Sequence, residues 1–339
     1  MKNFLQPEPI LEKLHELHTL MRDALHAHVV EQSNAQKLDD MARSTGFQGG
    51  DTIYNIDLHA EHILVPFCEA WGKATPFLLV AEGLPDVEGL NEGEMLCGCE
   101  RREDAEFILI CDPIDGTRPL MYDKRSAWLL TAVAPNVEGA NMTHIEIAMQ
   151  TELPTSRALL ADRLWAVRGA GVSAFTENLH TKEKRDFTPR PSQVPTVAGG
   201  FACFCKFFTG SKAWLADLEE RVMLAALGAP ADGLPPTFDD QYISNGGQLY
   251  DLMTGRDRFN AELRPIAYQR MQSPVVLCSH PYDLCCELIA REAGVIVTDE
   301  TGNNLSAPLD VNSPIVWIAY ANTAIQQQIE PHLMRLLHE

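Results

Sequence analysis

The sequence predicts an α/β layered fold with helices on both sides of its sheets. Three observations predict it. Apolar, strand-like runs alternate with helix-like segments along the 339 residues. Hydrophobic residues make up 45% of the chain, enough for a sizeable core. Several of the apolar runs end abruptly in a carboxylate, and clefts form at such sheet rims.

Ile10, Leu11, Leu14, Leu17, Met21 and Leu25 recur at helical spacing, so the chain opens with an amphipathic helix from residue 8 to about residue 30. "FQGGDTIYNID" reads as a turn and a short strand ending at Asp57. "LHAEHILVPFCEAW" follows as a helix, blemished by Pro66. "PFLLVAEG" is a buried strand that stops at Glu82. The acidic, Gly-rich stretch 83–105 reads as a loop or small excursion. "AEFILICD" is the next strand, and "SAWLLTAVAP", "HIEIAMQTEL" and "RLWAVRGAG" give three more.

The polar, proline-bearing stretch 176–193 is the expected lobe boundary. It divides an α+β lobe, residues 1–190, from an α/β lobe, residues 191–339, which together form one catalytic unit. A strand near residues 194–198, a helix near residues 211–227 and a second helix weakened by Gly246 and Gly247 follow. "DLCCELIAREAG" is a helix with the stripe Leu284, Leu288 and Ile289, begun at Asp283 and stopped by Gly294. "VIVTD", the turn "ETGN" and "PIVWIAYAN" close the chain as β structure.

Composition excludes several function classes. With 47 acidic and 27 basic residues the formal net charge is -20, which disfavours nucleic acid and anionic membrane surfaces as partners. No apolar run approaches the roughly 20 residues that span a bilayer, and "MKNFLQPEPILEKL" lacks the apolar core of a signal peptide. The nine cysteines include no C-x-x-C pair, and they read as free thiols in a reducing cytoplasm.

The informative stretch is "CDPIDGTRPL" at 111–120. A buried strand runs straight into Asp112 and Asp115, and Glu82 ends another strand. Carboxylates that converge unpaired repel one another, and a hard divalent cation is their natural counter-charge. Pro113 fixes the direction in which the strand leaves. Asp112 and Asp115 then flank a metal pair, and the carbonyl of Ile114 turns inward as a further oxygen ligand. The amides of Gly116 and Thr117 suit a phosphate, and Thr117 adds a hydroxyl. Two metals about 3.5–4 Å apart clamp an in-line phosphoryl displacement.

These residues carry a resemblance. "AEG", "DPIDGT" and "HPYDLCCELIAREAGVIVTDETG", in this order and spacing, resemble the G-E-E, D-P-[IL]-D-G-[TS] and W-D-x-A motifs of the inositol monophosphatase superfamily. The likeness runs from about Asp51 to Asn322. It implies the αβαβα five-layer sandwich of the inositol monophosphatase and fructose-1,6-bisphosphatase type. It also implies a cytoplasmic, lithium-sensitive homodimer that hydrolyses a small polyol or sugar phosphate by metal-activated water. The implied cofactor is Mg²⁺, in two or three ions, with Mn²⁺ as a substitute. By the same resemblance Glu82, Asp112, the Ile114 carbonyl, Asp115 and Asp283 are metal ligands. Thr117 orients the attacking water, with Asp57 as its acidic partner and Glu82 also catalytic. Gly116, Thr117 and Arg118 face the phosphate. Glu262, eight residues past Thr254 in "TGRDRFNAEL", is placed to accept substrate hydroxyls.

The chain departs from the family pattern in places. Gly83 stands for the second glutamate and Tyr282 for the tryptophan, and residues 263–281 look like an insertion. The metal set is intact while the substrate wall differs. Histidinol-phosphate phosphatase, 3′(2′),5′-bisphosphate nucleotidase and fructose-1,6-bisphosphatase activities are the alternatives within the superfamily. A non-catalytic metal- or phospholigand-binding protein on the same fold, or an interaction protein with a calcium-stabilised rim, are the alternatives outside it.

Overall fold

The computed structural model describes residues 6–48, 51–85, 87–229, 236–275 and 277–339. A long helix opens the chain, α1 (Pro7–Asn34), burying Leu14, Leu17, Met21 and Leu25 as the periodicity predicts. A single turn, α2 (Leu38–Met41), leads to a hairpin of β1 (Ser44–Gln48) and β2 (Asp51–Tyr54). The turn expected at residues 49–50 lies outside the described residues. Helix α3 (Asn55–Gly72) then starts earlier than the sequence suggests and carries Pro66 inside it. Asp57 therefore sits in the first turn of this helix, not at a strand end: its carboxylate accepts the Tyr54 N–H at 2.8 Å and closes the cap.

Next come β3 (Phe77–Ala81), β4 (Glu94–Cys97), β5 (Phe107–Asp115), the short helix α4 (Thr117–Met121) and β6 (Ala127–Pro135). The stretch read as a loop excursion thus returns as β4, an edge strand antiparallel to β3. Strands β7 (Ile147–Leu153), β8 (Leu160–Val167), β9 (Val172–Asn178) and β10 (Lys184–Asp186) complete an eight-stranded sheet, ordered β10-β9-β8-β7-β6-β5-β3-β4. Only β3 and β5 run parallel in it.

The second sheet has β11 (Phe201–Phe204), β12 (Asp257–Glu262), β13 (Ile296–Thr298) and β14 (Trp317–Tyr320), in the order β11-β12-β14-β13. The strand expected near residues 194–198 is displaced to β11. Its helices are α5 (Lys212–Leu227), α6 (Asn245–Met253), α7 (Arg264–Arg270), α8 (Glu287–Glu292) and α9 (Thr323–Leu337). Helix α8 starts four residues later than expected, so Asp283 lies in the turns before it. Residues expected as an insertion supply α7, and α9 has no counterpart in the sequence reading.

The layers follow from period-two alternation in the large sheet. Phe77, Leu79, Phe107, Leu109, Leu129 and Val133 point to one face, against α1 and α3. Leu78, Val80, Ile108, Ile110, Leu130 and Ala132 point to the other, where α6 and α8 lie between the two sheets. Helices α5 and α9 cover the far side of the small sheet. This is a five-layer αβαβα sandwich. No helix among the described residues is long and apolar enough to cross a membrane.

Candidate active site

Parallel pairing puts two acids side by side. β3 and β5 run in register to Ala81 and Cys111, so the next residues, Glu82 and Asp112, stand side by side at one rim, Asp112 still paired with Leu130 of β6. Against β6 the register of β5 slips between Asp112 and Asp115, a bulge at Pro113 and Ile114. Proline has no N–H to donate to the ladder, so it is tolerated at such a place. The bulge turns Ile114 so that its N–H donates to Asp112 Oδ1 at 3.0 Å and its carbonyl accepts from Thr117 Oγ1 at 2.9 Å. Gly116 follows with φ +97°, and a Cβ there would lie 3.1 Å from the Ile243 carbonyl oxygen. Thr117 Oγ1 also lies 3.0 Å from Asp57 Oδ1, so one hydroxyl proton has two acceptors.

Asp115 crosses the interlayer space to the start of α6. Its carboxylate accepts from Ser244 Oγ at 2.7 Å, Asn245 N at 3.0 Å and Gly246 N at 2.6 Å. The two glycines that weaken this helix in the sequence are required by the packing. A Cβ on Gly246 would lie 2.7 Å from Leu130 Cδ2 and 3.0 Å from Asp115 Oδ2, and one on Gly247 would meet the Tyr242 ring at 2.2 Å. Ser244 caps the helix by accepting from Gly247 N.

Asn245, absent from the sequence reading, joins the separate acids. Its backbone binds Asp115, and its Nδ2 donates to Asp283 Oδ1 at 3.2 Å. The amide is held in that orientation because its Oδ1 accepts from Ser279 Oγ at 2.6 Å and Trp317 Nε1 at 3.0 Å. "SNGG" ahead of an apolar helix is the local signal that could have marked it. Asp283 also accepts the His280 N–H at 2.7 Å. Burial alone would lower the His280 imidazole, but Asp283, 3.6 Å from its Nδ1, together with Cys278 outweighs burial and pushes it up to about 10.

Asp112, Asp115 and Asp283 each offer a carboxylate oxygen, all within 4.8 Å of one another. Asp112 is 2% and Asp115 3% exposed. Burial pushes the Asp112 carboxyl well up, and the charges of Asp115, Asp283 and Glu82 push it further. Burial and then Asp283 push Asp115 up to about 7 against its three hydrogen bonds. Clustered oxygen donors under mutual repulsion fit a hard divalent cation.

Asp57, Glu82, Asp112, Ile114, Asp115, Gly116, Thr117, Arg118 and Asp283 all line one cleft. Glu262 does not line it. It is fully buried at the end of β12, and its carboxylate is occupied by Arg264, with Nε at 2.8 and 2.7 Å and Nη2 at 2.5 Å. The sequence reading of Glu262 as an acceptor of substrate hydroxyls meets this arginine, which lines the cleft in its place. Phe207 and Phe208 line the same wall. The close cysteine pairs are free thiols, as are the other cysteines, and the sulfurs of Cys203 and Cys205 hydrogen-bond to Asn260 and Gln248.

No family model matches the chain, and no curated protein matches it. Solved structures do match over nearly the whole length. Fructose-1,6-bisphosphatase of Leishmania major, in its holo form, aligns with a TM-score of 0.64 at 11% identity, covering 95% of this chain and 94% of that one. The extragenic suppressor protein suhB of Bartonella henselae gives 0.62 at 17%, covering 96% and 98%. A staphylococcal inositol monophosphatase complexed with products gives 0.57 at 13%, covering 98% and 96%. The chain shares their fold, as the sequence resemblance implied.

Proposed function

We propose that this protein is a divalent-cation-dependent phosphomonoesterase of the inositol monophosphatase superfamily, acting on a small phosphorylated metabolite. The observation that carries the reading is the convergence of Asp112, Asp115 and Asp283 within 4.8 Å, in a cleft that also holds Glu82, Thr117 and Asp57. The neighbours' phosphatase names and the shared fold support it.

The carboxylates of Glu82, Asp112, Asp115 and Asp283 would hold the cation, together with the Ile114 carbonyl, whose second lone pair remains after it accepts from Thr117. A cation bound there supplies Lewis-acid stabilisation of charge developing on the phosphoryl and leaving oxygens. The chain's own residues do the rest. Thr117 Oγ1 donates to Asp57 Oδ1 or to the Ile114 carbonyl, which leaves its lone pairs to accept a hydrogen bond from the attacking water and orient it. Asp57 is fixed for this by its bond to Tyr54 N, and Glu82, which lines the same cleft, would accept the water's other hydrogen bond and the single proton it releases on attack. Asp115 is locked on the start of α6, which ties the rim of the large sheet to the helix layer beside it. Arg118 and the amides of Gly116 and Thr117 face the phosphate.

The same reading takes Mg²⁺ as the cation, in two or three ions with Mn²⁺ as a substitute, and includes lithium inhibition and a cytoplasmic homodimer. A phosphate-release screen over aryl, polyol and sugar monoesters with Mg²⁺ tests it. Turnover of at least one ester, abolished by EDTA, is expected, and a flat response across the panel would overturn the proposal.

A further inference from the structure

The cleft is also lined by Arg264, Phe207 and Phe208, which the phosphatase reading leaves without work. Arg264 is 4% exposed and Glu262 is fully buried, yet Arg264 lines the cleft. The pair is heavily tied down. Glu262 receives Nε and Nη2 of the guanidinium and the backbone N–H of Arg264, the last at 2.8 Å. The Leu277 carbonyl accepts from Nη1. The guanidinium carbon lies 4.9 Å from the Phe207 ring centre and 5.1 Å from that of Phe208. Arg118, from the motif side, also stacks on Phe208 at 5.1 Å and on Tyr54 at 5.7 Å. The Phe208 ring thus has both guanidiniums against it.

Burying an ion pair gains little stability over apolar residues of the same volume. Fixing a guanidinium on a cleft wall does something else. Arg has five N–H donors in a rigid fork. Glu262 and Leu277 occupy three of them, and their geometry fixes where the rest of the fork is held. The two phenyl rings exclude water from it, which strengthens any charge-assisted bond it makes. Such a wall is poorly matched to a neutral polyol hydroxyl, because Glu262, the acceptor expected for that role, is already used.

We infer that Arg264, presented by Glu262 and flanked by Phe207, Phe208 and Arg118, is a specificity-determining residue that binds a second anionic group on the substrate, remote from the phosphate that is cleaved. This rests on the phosphatase reading. It narrows the substrate class to phosphate esters whose far end carries a carboxylate or another phosphate.

The test compares initial rates with Mg²⁺ on four esters: an aryl phosphate, a hexose monophosphate, the matching phosphorylated aldonate and the matching hexose bisphosphate. Wild type should prefer the aldonate, the bisphosphate or both over the hexose monophosphate by about tenfold or more in kcat/KM, the worth of one charge-assisted hydrogen bond. Which of the two is preferred identifies the anion as carboxylate or phosphate. In Arg264→Lys the ratio should shrink, chiefly through KM, because charge is kept and the fork is lost. The wild-type ranking needs no variant, so misfolding of a variant cannot hide the answer. Hydrolysis of the aryl ester with equal or greater activity on the neutral hexose ester overturns this inference alone. No hydrolysis of any ester overturns it together with the phosphatase reading.

Discussion

The two ends of the cleft treat charge in opposite ways. At the motif end, Asp112 and Asp115 accept only N–H and hydroxyl donors among the described contacts, while like charges lie close by. At the other end, Arg264 is matched by Glu262 at hydrogen-bonding distance. The first arrangement is under mutual repulsion, which a bound cation would relieve. The second is satisfied as it stands and only presents donors. An enzyme needs the strained end for chemistry and the satisfied end for selection, since a group already at rest binds its ligand without reorganising.

The largest expected effect breaks the strained end. Asp112→Asn and Asp283→Asn should each lower phosphate release with Mg²⁺ by about a hundredfold or more, since each removes charge that would hold the cation acting on the transition state. Steady-state rates on the best ester check this. Activity within a few-fold of wild type in both variants would place the chemistry elsewhere.

A smaller effect is expected at Thr117. Thr117→Ala removes the hydroxyl that bridges to Asp57 and to the Ile114 carbonyl, so kcat should fall by about tenfold or more with KM little changed. A change confined to KM would mean that the hydroxyl binds substrate and does not orient water.

The strain should also show in stability without substrate. Mg²⁺ or Mn²⁺ at a hundredfold excess over Kd should stabilise wild type by about 2.7 kcal/mol, and the gain should shrink in Asp112→Asn. pH acts through the same groups. The carboxyl of Asp115 stands at about 7 in the fold against an ordinary 3.8. Between these values the folded state holds a proton that the unfolded chain has lost, so its contribution to stability falls as pH rises. In EDTA, the melting temperature of Asp115→Asn relative to wild type should therefore increase from about pH 4 to about pH 7. A difference that is flat across this range would mean that the carboxyl is already ionised in the cation-free fold.

The mildest break is at Asn245. Asn245→Ala keeps the backbone bond to Asp115 but leaves the Ser279 and Trp317 donors without their acceptor. A buried donor left unpaired costs about 1–3 kcal/mol. A urea titration should show that loss, with Mg²⁺ affinity lowered because Asp283 loses a holding contact.

How much of this was legible in the sequence follows the same division. The motif end is built from strand ends and one contiguous stretch, so Glu82, Asp112, Ile114, Asp115 and Thr117 could be named before any fold was known. The alternation of strands and helices was also readable, because period-two strands and capped helices leave local marks, whereas the five-layer order was implied by the family resemblance, and α7 and α9 were not read at all. Asp57 was named by the family resemblance but misplaced by one element, since its helix begins at the residue after Tyr54. The arginine cluster is assembled from residues 207, 208 and 264, which only tertiary packing brings against Arg118 of the motif. The family resemblance pointed at Glu262 and could not show that Arg264, two residues on, folds back over it. Asn245 was hidden for the same reason: its partners Asp115, Ser279, Asp283 and Trp317 come from four separate segments.

The central claim is that the carboxylate end works only with a divalent cation. The most direct measurement follows phosphate release from one aryl ester in a single preparation, first in EDTA and then with Mg²⁺ restored in excess. The rate should be at background in EDTA and return in full with Mg²⁺, while Asp112→Asn stays near background in both. Equal rates of wild type with and without the cation would contradict the account.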